Sequence, residues 1–189
     1  MSDTLCPVFC TAKLPIELID EFFKEANKAT QDNCYEAPVG YLVASTTLPE
    51  VIEESATICP IDEQALQDNP FLNKTTTEVI DWAQSNLHPE CGLLNDQVVI
   101  LDDRTAQDKT CLLLSLKEHY IIEFANRKTV PGPEEAPDAW IVIRSDFQSS
   151  IVTIMTKATG VGGDDHFEPL GREGHDGVLR IRETHAKDG

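Results

Sequence analysis

No apolar run in the chain approaches the roughly 18 residues needed to cross a bilayer, so no membrane-spanning helix is expected. The first residues, Met1-Ser2-Asp3-Thr4, lack the basic start and apolar stretch of a signal peptide, and the sequence therefore reads as that of a cytoplasmic protein. Basic side chains are also scarce, with 15 Lys+Arg against 33 Asp+Glu and a formal net charge of -18 at pH 7. A field of that sign repels phosphate backbones and anionic lipid, so neither a nucleic-acid partner nor a membrane surface is expected. The shortage is uneven: residues 1–103 carry 19 acidic and 4 basic side chains, and the remainder 14 and 11. A basic protein, a small molecule or a cation is compatible with this balance. Catalytic signatures are missing too. There is no G-x-S-x-G nucleophile elbow, no G-x-x-x-x-G-K-[ST] phosphate loop and no H-E-x-x-H zinc motif.

Six cysteines are present, but they are scattered through a chain long enough to fold without staples. Cys6 and Cys10 are spaced C-x3-C, which matches neither the redox C-x-x-C pattern nor a zinc knuckle. On a strand, a rise of about 3.3 Å per residue separates their Cα atoms by about 13 Å, beyond the roughly 7 Å limit for a disulfide. Cys111, in Cys111-Leu112-Leu113-Leu114, reads as a small buried hydrophobe. Cys34, Cys59 and Cys91 have no recognisable catalytic surround, although a thiol-dependent enzyme or redox sensor is one reading of the chain.

Hydrophobic periodicity supplies the organisation. Pro7 to Ala12 reads as a buried strand, and Pro15 then suits the start of an amphipathic helix over Ile16 to Ala29, with Ile19, Phe22, Phe23 and Ala26 on one face. Gly40 to Thr46 is a second strand, which makes a βαβ opening. Short helices are expected at Pro49 to Ser55 and Asp62 to Leu66, and Asp68-Asn69-Pro70 is a turn. Thr75-x-x-Glu78 forms a capping box ahead of Val79, Ile80, Ala83 and Leu87. Gln97 to Leu101 and Thr110 to Leu116 are strands, and the short Lys117-Glu118-His119 link predicts a hairpin to Tyr120 to Phe124. Pro131, Gly132, Pro133 and Pro137 mark a loop, and Ala139 to Arg144 is a strand. Asp146 suits a helix cap for 147–158, although Ile, Val and Thr there also permit a strand.

The fold class is therefore α/β (or α+β): a mixed sheet with a βαβ start, an antiparallel hairpin continuation and helices packed on the sheet. Residues 1–159 form one core domain, and 160–189 a glycine-rich polar loop, an edge strand at Val178 to Ile181 and a loose tail.

Parallel strands bind ligands at their carboxyl ends. That edge offers Ser45, Thr46, Thr47 and Arg104 as ligand-binding candidates, and Asp102 and Asp103 as catalytic ones, one acting as a base with its pKa lifted by its neighbour. A solvated turn explains the paired aspartates equally simply. Asp164, His166, His175 and Asp176, in a glycine-rich stretch, carry nitrogen and oxygen donors for a divalent metal, without an established ligand spacing. Three functions follow in order: a binding or interaction module without chemistry of its own, whose partner is a protein or a small molecule; a metal-dependent hydrolase or lyase; and a thiol enzyme or redox sensor.

Overall fold

The computed structural model describes residues 4–33, 39–48, 52, 56–88, 92–121, 129–160, 163–169 and 176–181. Strand β1 (Cys6–Cys10) leads into helix α1 (Ile16–Asp32), strand β2 (Gly40–Leu42) and a 3-10 turn (Glu63–Leu66). Helix α2 (Thr76–Asn86), strand β3 (Gln97–Leu101), a one-turn helix α3 (Thr105–Asp108) and strand β4 (Thr110–Leu116) follow. After a 3-10 turn (Pro137–Ala139) come strand β5 (Trp140–Asp146), helix α4 (Phe147–Ala158), one-turn helix α5 (Asp164–Phe167) and strand β6 (Val178–Leu179).

The six strands form one sheet in the order β2-β1-β3-β4-β5-β6. β1 runs parallel to β2 and β3, β4 is antiparallel to both its neighbours, and β6 is parallel to β5. Every strand but β4 thus points the same way. The mixed sheet, its βαβ opening and the helices on its faces are as the periodicity indicates. β1 and β3 are buried at all five positions each, as central strands covered on both faces must be.

Alternation along the strands sends side chains to two cores. On one face Val8, Val99, Leu113 and Ile143 pack against Phe22 and Phe23 of α1 and Phe147 and Ile151 of α4. The rings of Phe22 and Phe147 meet edge to face at 5.2 Å between centroids. On the other face Phe9, Val98, Ile100 and Leu114 pack against Val79, Ile80 and Ala83 of α2. The steps from β1 to β2 and from β5 to β6 run in opposite directions along the sheet with their helices on the same face. The two crossovers therefore have opposite hand, and one of them is the rare left-handed form.

Local chemistry decides the helix ends. Thr75 and Glu78 make the full capping box: the Thr75 hydroxyl accepts from Glu78 N–H at 3.2 Å, and the Glu78 carboxylate accepts from Thr75 N–H at 2.9 Å. Residues 147–158 resolve as helix because the Asp146 carboxylate accepts from Ser149 N–H at 2.8 Å, and the face bearing Phe147, Ile151, Ile154 and Met155 packs into the core shared with α1 and the sheet. The hairpin expected after β4 is replaced. Residues 118–121 turn helically, with the Tyr120 and Ile121 N–H groups both donating to the Lys117 carbonyl. The antiparallel partner of β4 is instead β5, paired from Thr110↔Asp146 to Leu116↔Trp140. The remainder of the expected hairpin strand, and all of the expected helix at Pro49 to Ser55 except Ile52, lie outside the described residues.

Candidate functional site

A cleft of about 560 Å3 opens at the carboxyl end of β1. Its floor is the β1–α1 junction, with Cys10, Ala12 and Ile19, and its far wall is the segment from Glu63 to Leu72. Long-range hydrogen bonds fix that geometry. The buried Asn69 side chain donates to the Cys10 carbonyl at 2.7 Å and accepts from Phe71 N–H at 3.0 Å. Asn73, in a left-handed conformation (φ 61), donates its N–H to the Thr11 carbonyl at 2.7 Å. On the near side the Asp20 carboxylate accepts from Ile61 N–H at 2.8 Å, tying the 3-10 turn to α1.

Pro15 is the N-cap of the 17-residue helix α1 and makes no side-chain cap hydrogen bond, and Ile16, Glu17 and Ile19 of its first turn line the cleft. The lining is mixed. Leu14, Ile16, Leu66 and Leu72 are apolar, while Lys13, Glu17, Glu63 and Gln67 place polar groups at exposed positions. The Cys10 thiol sits at the base, donating to the Ala12 carbonyl at 3.0 Å. Burial pushes its pKa up to about 11, against a smaller opposing effect of hydrogen bonds from the Ala12 and Leu14 backbone. It is therefore a neutral thiol at physiological pH. Cys59 is also pushed up to about 11 by burial, reinforced by Asp20, and burial raises the thiols of Cys6 and Cys111 further. These four cysteines are free, and none has the lowered pKa of a reactive thiolate. Cys34 and Cys91 lie outside the described residues.

The residues singled out from the sequence lie elsewhere on the same edge. Asp102 follows β3 and is gripped by Arg144 of β5, whose two guanidinium nitrogens donate to its two oxygens at 2.9 and 2.5 Å. The Thr105 hydroxyl and N–H add two bonds at 3.2 Å. Burial pushes this carboxyl up, but the Arg144 hydrogen bonds and charge, with those of Thr105, outweigh it and hold the group below its ordinary value. The shift runs opposite to the lift expected of a base beside a second carboxylate. Asp103 is exposed, and Arg104 pairs with Asp108 at 2.6 Å. Ser45, Thr46 and Thr47 are exposed after β2, with the Ser45 hydroxyl accepting from Thr47 N–H at 3.0 Å. β1 separates them from Asp102, and none of these residues lines the cleft.

The divalent-metal expectation is overturned. Among the described residues no group of three or more His, Cys, Asp or Glu side chains could hold a metal ion. The carboxylates expected as ligands are already used. Asp164 binds Lys157 at 3.0 Å and accepts from Glu118 N–H at 2.7 Å, while Asp176 makes a bidentate pair with Arg180 at 2.9 and 2.8 Å. His166 is exposed beside Phe167, and His175 lies outside the described residues.

Sequence reasoning passed over the cleft residues because none bears a motif. The available signal was Pro15 directly after a buried strand, together with an asparagine in the Asp68-Asn69-Pro70 turn. With this geometry in hand, comparison with known proteins adds no relative: no family model, curated protein or solved structure matches the chain.

Proposed function

We propose that the protein is a cytosolic binding module without chemistry of its own, which takes a small molecule in the cleft at the carboxyl end of β1. The observation that carries this reading is the cleft itself. Its volume of about 560 Å3 falls in the range of small-ligand sites, and it lies at the sheet edge where open α/β folds bind their ligands. The mixed lining suits a ligand with an apolar body, seated against Leu14, Leu66 and Leu72, and a polar end at the mouth beside Lys13 and Gln67. A cytosolic setting is supported by the four free thiols, which a reducing compartment preserves.

A small-fragment library titrated into 15N-labelled protein tests this. Binding at the cleft should move the amide resonances of Ala12 to Ile19 and Glu63 to Leu72, and Leu66→Trp, which fills the cleft, should abolish those shifts while the rest of the spectrum stays folded. Fragments that leave both stretches unmoved, or that bind Leu66→Trp equally well, would remove the cleft as the site.

A further inference from the structure

At the opposite edge of the sheet, the end of α4 holds a buried amine. The Lys157 side chain is 6% exposed, and its Nζ lies 3.0 Å from Asp164 Oδ1 and 3.4 Å from the Leu116 carbonyl. Asp96 is a second carboxylate close enough to feel its charge. Three residues beyond Asp164, the buried Phe167 ring packs beside Leu113, Ile141, Ile143 and Ile154, with Ser115, Thr153 and Lys157 at the same recess, and only about 10 Å3 stays free there. Among the described residues, the segment carrying both groups is held to the body by the Asp164–Lys157 ion pair, the Glu118 N–H bond to Asp164, a Lys117–Glu168 pair at 3.0 Å and the buried ring. Its own helix is a single turn, Asp164–Phe167, and an isolated turn does not persist in water.

We propose that Lys157 and the recess beside it form a binding seat for a carboxylate with an aromatic body, which Asp164 and Phe167 occupy as an intramolecular stand-in. The carboxylate answers the buried ammonium, and the ring answers the apolar walls. Local undocking of 163–169 frees the seat without opening the sheet, since β4, β5 and α4 keep their mutual packing. A soluble ligand competes with a tethered one, whose effective concentration is in the millimolar range, so the intact protein binds weakly and the emptied seat binds well.

The probe is 3-phenylpropionate. Isothermal titration into the double variant D164A/F167A should show binding at least tenfold tighter than to the unmodified protein, and adding Lys157→Met should lose about tenfold. In the unmodified protein, millimolar probe should speed amide hydrogen exchange of 163–169 at least threefold while the amides of β4 and β5 stay unchanged. That second measurement stands even if the double variant does not fold. Equal binding with and without Lys157 would overturn the proposal, as would no binding to a folded double variant or no change in exchange of 163–169 with the probe.

Discussion

Asp102 shows what a single side chain does when partly buried beside a cation. Its folded pKa is lowered, so the stability it confers is present above the ordinary aspartate value of about 3.9 and is lost as pH falls through the lower folded value. Asp102→Asn should therefore flatten the acid limb of the stability curve below about pH 4 and lower stability at pH 7. Urea titrations at pH 7, 4 and 3 would show both effects, and an unchanged acid limb would mean that the Arg144 pair does not couple to folding. From the sequence, Asp102 read as one of two adjacent acids in a turn. Its partner is 42 residues further along, and only the register of β3, β4 and β5 places Arg144 within reach.

At the scale of elements, capping and periodicity were legible because they are local. The Thr75 box formed where its spacing indicated, and Thr75→Ala should cost about 1 kcal/mol by chemical denaturation, within the roughly 0.5–2 kcal/mol range for lost N-caps. A cost near zero would show that α2 is held by packing alone. The ambiguous run from 147 to 158 needed a tertiary answer: its β-branched residues suit a strand, but the Asp146 cap and the groove beside α1 make it a helix. The hairpin was misread for the converse reason. A three-residue link between apolar runs satisfies local turn rules, yet β4 already had both its edges paired, by β3 and β5.

For the whole molecule, the cleft exists because distant segments are pinned at the end of β1. Asn69 is the pin, 59 residues from the carbonyl it binds. Asn69→Ala should leave the Cys10 carbonyl and the Phe71 N–H without these partners, at a cost of about 1–3 kcal/mol for each group that stays buried and unpaired. Cleft amides at Glu63 to Leu72 should then exchange faster than those of β3. Uniform loss of protection across the chain would instead make Asn69 a purely global stabiliser.

The sequence by itself determined the acidic balance, the strands and helices carried by clear periodicity, the cap at Thr75 and the strand-helix-strand order of the opening, because each depends on residue type or on neighbours within one turn or strand. Tertiary structure alone decided the strand order, the pairing of β4 with β5, the partner of Asp102, the cleft floored by Cys10 and walled from Glu63 to Leu72, and the buried seat of Lys157. Those features join residues tens of positions apart. They form only when the sheet brings together backbone and charge that no spacing in the chain connects.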